Sequence, residues 1–458
     1  MACASLACGC VPAPSINASY PATLEASECR SYLETLDREA AAHGVIDADA
    51  ARVPDYPFLR ADRFVASFPP GTLSSDAFGA WLERLQALHR DGRRMEIANL
   101  PNATRADLAV RFDLARHDPQ ALADRAERCA QILRRMMVDF PDLRADLATR
   151  VTVPDDYRGW QRVIGLYPLT QIPFAIGVRG WQIETERAFA HPLDTLPIRG
   201  EPVRYLPPPG PIPAPSVTAT QLERSSDNPL RIPQPVSGDR QRLLHGHAPV
   251  LVIDTESDED RIGAIELDAA GRSRVATAAP VVYAYTSHAR WRGAILLQLN
   301  YVIWFPSRPS EGAFDLLSGH LDGITWRLTL APDGRVLVAD TIHNCGCYHL
   351  FFPSAAVRPV AYGPSAEEQP FVPQWLPALN PGERFTLWIA SRTHYLQRVT
   401  ATGAEAGDGR PYEIRDYDAL RSLDAGNTGR ASLFGPDGVV PGSERGERFL
   451  FWPMGVPD

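Results

Sequence analysis

The spacing of apolar residues changes near the middle of the chain, and that change divides the sequence. In the first third the apolar positions recur at helical intervals. Leu24, Cys29, Leu33, Leu36 and Ala40 fall near one face of a helix that Gly44 should stop. Phe78, Trp81, Leu82, Leu85 and Leu88 mark a second helix, from about Asp76 to Arg90, with Gly92 as its expected end. A third is expected from about Arg105 to Arg116. A fourth opens on Asp118 as N-cap with Pro119 at the first helical position, carries Leu122, Cys129, Leu133 and Met136, and should end at Pro141.

Residues 150–195 are aromatic-rich, with Trp160, Tyr167, Phe174 and Trp181. From Pro197 to about Gly238 proline is so frequent that an extended connector without regular core structure is expected. After it the period becomes two. Residues 249–254, 281–286, 295–305 and 385–390 read as strands, and the almost wholly apolar run 295–305 should be covered on both faces. Residues 325–330 and 335–340 form a hairpin about Pro332, Asp333 and Gly334, which carry turn chemistry. The expected class is α+β, with a β-rich, sandwich- or barrel-like C-terminal domain. The division is 1–22 as a tether, 23–150 helical, 151–240 connector and 241–458 β-rich.

Composition narrows the chemistry. All 46 Lys+Arg residues are arginine. Lysine Schiff bases, pyridoxal phosphate, the P-loop lysine and the kinase strand lysine are therefore excluded. A net charge of −9 argues against a nucleic-acid partner, which needs a basic stripe. No run of about 20 apolar residues occurs to span a bilayer as a helix.

The densest chemistry lies in residues 340–349, Asp-Thr-Ile-His-Asn-Cys-Gly-Cys-Tyr-His. Zinc and copper both accept imidazole and thiolate ligands, so His343, Cys345, Cys347 and His349 are candidate metal ligands. In a straight strand the two histidines would stand about 20 Å apart, at ~3.3 Å per residue. The chain has to turn, and Gly346 permits it. A Cys345–Cys347 disulfide or reactive thiol pair is the second reading. Ordinary packed cysteines with surface histidines is the third.

Weaker candidates are His394 and Arg392, which follow the strand at 385–390 and reach the same loop if the strand ends converge. Asp322 and His320, in the loop 318–323, lie beside the hairpin. His245 and His247 stand at the end of the connector, and Arg308 follows the long apolar strand. The acidic run 256–260 lacks EF-hand spacing and reads as a solvated loop. No Gly-x-Ser-x-Gly elbow is present, and a cysteine hydrolase built on Cys345 or Cys347 would need a histidine beside it in space. Cys29 and Cys129 both fall on apolar helix faces, as two buried thiols or as a disulfide between the first and fourth helices. Cys3, Cys8 and Cys10 follow small residues, as lipid-acylated cysteines do.

Four runs carry a resemblance: residues 301–309, 321–327, 342–349 (Ile-His-Asn-Cys-Gly-Cys-Tyr-His) and 434–443. They are similar to bacterial envelope proteins of lipoprotein type that have no assigned activity. The resemblance covers the C-terminal half. It implies a place in the periplasm or outer membrane, with a possible lipid anchor, and transfers no catalytic residue. Two functions are carried forward: a metal- or thiol-dependent envelope protein centred on residues 343–349, and a non-catalytic structural or binding protein of the envelope.

Overall fold

A computed structural model describes residues 23–448 except 115, 117, 140, 153–166, 269, 311, 313–314, 361–368, 404–407, 427–428 and 447. The lipidation candidates Cys3, Cys8 and Cys10, and Trp160, lie outside the described residues. The chain is α+β and divides into two compact units, residues 1–154 and 155–458.

The first unit holds helices α1 (Leu24–Ala42), α2 (Arg63–Ala66), α3 (Ser75–Asn99), α4 (Asn102–Arg111), α5 (Pro119–Asp139) and α6 (Pro141–Arg150), with a short pair β1 (Ala51–Arg52) and β2 (Arg60–Ala61). Side-chain caps start the helices: the Thr23, Ser74 and Asp118 oxygens accept the amides of Ala26, Ala77 and Ala121. Tyr32, Leu33, Trp81, Leu85, Leu122 and Leu133 are buried in the core. The Cys29 and Cys129 sulfurs are bonded, tying α1 to α5.

Gly92 does not stop α3, which runs on to Asn99. A Cβ there would collide with the Arg60 guanidinium, so this glycine makes room for a buried cation. Arg60 Nη2 lies 2.6 Å from Glu96 Oε1, Arg93 Nη1 lies 2.9 Å from Glu96 Oε2, and Arg93 Nη2 lies 2.6 Å from Asp37. The third predicted helix ends earlier than expected, at Arg111, whereas α5 ends before Pro141 as expected, and Pro141 opens a further helix.

The second unit begins with α7 (Tyr167–Ala190), in the stretch read as an aromatic connector. The Pro-rich stretch is also regular, contrary to expectation. It supplies β3 (Glu201–Leu206), α8 (Pro215–Ser225) and the start of α9 (Ser237–His247). Pro215 opens α8, where a missing N–H costs nothing. Pro202 lies in β3, whose outer side is paired only at Tyr205 and Leu206, so it occupies an edge position that tolerates proline.

Thereafter come β4 (Val250–Thr255), β5 (Ala264–Leu267), β6 (Ser273–Ala276), β7 (Val281–Trp291), β8 (Ala294–Arg308), β9 (Gly319–Leu330), β10 (Val336–His343), β11 (Leu350–Pro353), β12 (Glu383–Ile389), β13 (Leu396–Gly403), β14 (Arg410–Pro411) and β15 (Glu413–Asp416). The strands at 249–254, 281–286, 295–305 and 385–390 and the hairpin are present as expected, the hairpin turning at Gly334 with φ +79°. All but β5 and β6, which pair with each other, join β3 in two open sheets, of order β11-β10-β9-β8-β7-β15 and β13-β12-β4-β3-β14, rather than a barrel. Leu299, Ile303, Ile324, Trp326 and Leu328 of the first sheet share one core with Leu251, Ile253, Leu387 and Ile389 of the second. On the other face of β8, Val302 and Trp304 enter a second core. The long apolar strand is thus covered on both sides. No helix among the described residues is long and apolar enough to cross a membrane.

Candidate functional site

At one end of the two sheets, chain segments far apart in sequence meet around Asp322. This residue lies on β9 opposite Phe305 of β8, and His343, the last residue of β10, pairs with Ile324 two positions further along β9. The turn between β12 and β13 brings in His394 from the facing sheet. Its Nδ1 lies 2.7 Å from Asp322 Oδ2 and its Nε2 lies 3.4 Å from Asp260 Oδ1. The ring is fully buried and stacks on Phe305, centroids 3.8 Å apart and planes within 2°.

Burial alone would lower the His394 pKa, but the two carboxylates outweigh it and the pKa is raised. Asp322 shows the reverse balance. Burial pushes its pKa up, while the neighbouring His343 imidazole and the hydrogen bond with His394 pull it below the ordinary carboxylate range. His343 Nδ1 is 3.7 Å from Asp322 Oδ1, and Arg445 Nη2 donates to the Leu321 carbonyl at 2.6 Å and reaches Asp322 Oδ1 at 3.4 Å. Around His343 pack the rings of Tyr348, at 5.1 Å, and Tyr395, at 5.5 Å; the Arg308 guanidinium donates to the Tyr395 hydroxyl.

Asp260 is a correction. The acidic run read as a solvated loop turns inward here. Asp260 is fully buried and accepts the amides of Glu256, Ser257 and Arg392. Arg392 supports the turn in the same way, since its own side chain donates to the Ser310 carbonyl.

Four non-glycine residues around this cluster have left-handed backbone. Leu321, Tyr348, Arg392 and His394 have φ of +52°, +58°, +62° and +52°, four of the eight such described residues. Each such position costs about 1–3 kcal/mol, and clusters of them are typical of functional sites.

The chain beyond β10 turns as the glycine suggested. Gly346, at φ +85°, donates to the His343 carbonyl at 2.8 Å, and the His343 amide donates to the Cys347 carbonyl at 3.0 Å. Neither Cys345, which is exposed, nor Cys347, which is half-buried, forms a disulfide. A hydrogen bond from Cys347 is the main influence lowering the Cys345 thiol to about 7; desolvation opposes it, and His343 lowers it further.

The four predicted ligands do not share one centre. Asp340 and His343 are three residues apart on β10 and so face opposite sides of the sheet. His349 goes with Asp340, Nε2 to Oδ1 at 3.0 Å, where Asp340 also binds Arg327. Among the described residues no group of three or more His, Cys, Asp or Glu side chains is arranged to hold a metal ion. His320 and His247 bond backbone carbonyls, of Ser273 and Leu243, and His247 lies with His245 on α9.

A cavity of about 370 Å³ opens beside the cluster. Its polar wall comprises Asp322, His343, Asn344, Cys345, Glu444 and Arg445, and its apolar wall includes Tyr285, Val302, Trp304, Tyr417, Phe434 and Val440. The volume suits a small ligand, and a few polar groups facing an apolar wall are typical of such sites. The sequence pointed to His343, Cys345, Asp322 and His394. It gave no hint of Asp260, Tyr395 or Arg445, which lie 62, 73 and 123 residues from Asp322 and whose roles arise only from the fold. No family model, no curated protein and no solved structure matches this chain.

Proposed function

We propose that the protein is a thiol-dependent enzyme of the bacterial cell envelope, with Cys345 as nucleophile, His343 as its general base and Asp322 as the group orienting that base. One observation carries the reading: Cys345 is an exposed thiol at a cavity, with a pKa lowered to about 7, and it shares that cavity with a histidine held beside a buried carboxylate. A thiol so perturbed is substantially ionised near neutrality, which is the state that attacks.

In the reaction the sulfur adds to the carbonyl carbon of an ester, thioester or amide. The thiol proton passes to His343 and then to the leaving group, and the acyl group remains as a thioester on Cys345 until water or a second nucleophile removes it. His394, clamped between Asp322 and Asp260, keeps the Asp322 carboxylate in position. The Cys29–Cys129 bond supports an oxidising compartment, as the envelope provides.

The hydrogen bond between Cys347 and Cys345 favours a second reading, dithiol exchange. There Cys345 attacks a substrate disulfide, a mixed disulfide forms, and Cys347 displaces the second substrate thiol to leave a Cys345–Cys347 disulfide. One experiment separates the readings. The protein is treated with p-nitrophenyl acetate or with a small-molecule disulfide, then mapped by mass spectrometry. An acetyl group on Cys345, lost in Cys345→Ser and slowed in His343→Gln, supports the acyl reading. A mixed disulfide on Cys345 that accumulates only in Cys347→Ser supports exchange. No adduct with either reagent returns the protein to a non-catalytic envelope role.

A further inference from the structure

One segment of the second unit is suited to an apolar surrounding that the described protein does not supply. The C-terminal half of α7 is seated: Trp181 packs on the rings of Tyr348 and Phe371, and Thr185 and Phe189 are buried. The preceding turns are not. Ile172 is 60 % exposed and Ile176 68 %, and Pro173, Ala175 and Gly177 are exposed too. Residues 172–178, Ile-Pro-Phe-Ala-Ile-Gly-Val, make about two turns without one polar side chain. Their apolar surface therefore runs round the helix rather than along one stripe. A helix that docks in a protein groove needs only a stripe and keeps its other face polar. One that is apolar all round belongs in a core or in lipid. Pro173 and Gly177 are also the residue types that least favour a helix standing in water. In hydrocarbon, where an unpaired backbone group finds no water, helix is the form such a segment has to take.

Charge names the kind of lipid. Asp and Glu make up 55 of the 458 residues, yet none occurs from 157 to 183, where an average stretch would hold about three. The charged residues in that interval are Arg158, Arg162 and Arg179, so the uncharged run 163–178 has an arginine at each end. In a chain of net charge −9 this is a local cationic frame around an apolar segment, and it complements an anionic surface. Arg179 is exposed where the apolar stretch of α7 ends. From Tyr167 to Val178 the helix rises about 18 Å, at ~1.5 Å per residue. That matches one leaflet of a ~30 Å hydrocarbon core and is too short to cross both. We infer that α7 inserts its N-terminal half into one leaflet of a membrane containing anionic phospholipid, with Arg179 at the headgroup phosphates. The inference stands apart from the thiol-enzyme reading: it concerns where the protein is held, and no step of the chemistry depends on it.

The test mixes the full chain with vesicles of phosphatidylethanolamine and phosphatidylglycerol, about three parts to one, or of phosphatidylcholine alone, and reads the bound fraction by flotation. The wild type should bind the anionic vesicles at least about tenfold more tightly than the neutral ones, and high salt should erase that preference. Arg179→Gln should remove about fivefold of the affinity for anionic vesicles, the worth of one arginine near such a surface, and leave the neutral ones unchanged. Ile172→Glu combined with Ile176→Glu, two changes at exposed positions, should weaken binding to both vesicles by at least about a hundredfold, because two apolar side chains leave the lipid. Hydrogen exchange gives a reading on the wild type that needs no variant: the amides of residues 172–178 should exchange at least about tenfold more slowly once anionic vesicles are added. No binding to either vesicle, equal binding to the two, binding that survives the double substitution, or exchange unchanged by lipid would overturn the inference. So would a dimer formed in buffer and split by the double substitution, because a second copy of the chain would then be what covers the helix.

Discussion

Each unit buries a network of charges, and the two networks are built differently. In the first, Glu96 is held between Arg60, Arg93 and Arg52, groups that stay charged across the physiological range. Burial pushes the Glu96 carboxyl up, but the three guanidiniums bring it down to about 2. None of its members has left-handed backbone, and no thiol takes part. In the second, Asp322 gathers two imidazoles and one guanidinium beneath a cavity, with an ionisable thiol at its mouth and left-handed residues on three of the converging segments. Arginine–carboxylate pairs fix a fold. Imidazole, thiol and strained turns at a cavity are what chemistry requires. Burial of charge alone does not identify a functional site; the kind of charge, the backbone holding it and access to a cavity do.

The comparison can be broken most sharply in the first unit. Glu96→Ala leaves Arg60 and Arg93 buried without their carboxylate and should cost about 3–5 kcal/mol. Hydrogen exchange should show the loss in α1 and α3 while the amides of β8 and β9 keep their protection. Comparable loss of β8 protection would mean the two networks are not energetically separate. Replacing Cys29 and Cys129 together by serine removes the bond closing a loop of about 100 residues and should cost about 2–5 kcal/mol, read as a lower melting temperature that no longer responds to reductant.

Glu96 also gives a pH signature. Its folded pKa is below the ordinary value of 4.5, so its stabilisation is complete above about 4.5 and is lost as pH falls towards 2. Exchange protection of α3 should fall across that window, and in Glu96→Gln the fall should vanish. The smallest effect lies in the second unit. Arg392→Gly relieves left-handed backbone while keeping the amide that binds Asp260, and should gain about 0.5–1 kcal/mol. Such a gain accompanied by slower thiol acylation would identify the strain as part of the site.

Much of this was legible in the sequence because it depends on local patterns. Strand periodicity located β4, β7, β8, β9, β10 and β12, and Asp118–Pro119 announced α5. Gly346 announced the turn that brings Cys345 and Cys347 together. What misled was residue type without context. Gly92 reads as a helix stop unless one knows that Arg60 lies against it, and prolines at a sheet edge or a first helical turn do not prevent regular structure. Alternation along a strand separates Asp340 from His343, and that alone sends His349 to the other face. Asp260 and Arg445 carry no local signature at all; they matter because β4 and the C-terminal loop end where Asp322 is.

The central claim is that Cys345 is an activated nucleophile, and the rate of its alkylation as a function of pH tests it most directly. Iodoacetamide labelling of Cys345, followed peptide by peptide in the mass spectrometer, should rise with a midpoint near pH 7, and the midpoint should move upward in both Cys347→Ala and His343→Gln, since each removes a contribution that lowers the thiol pKa. A midpoint at the ordinary cysteine value of about 8.5, unchanged by either substitution, would contradict the account.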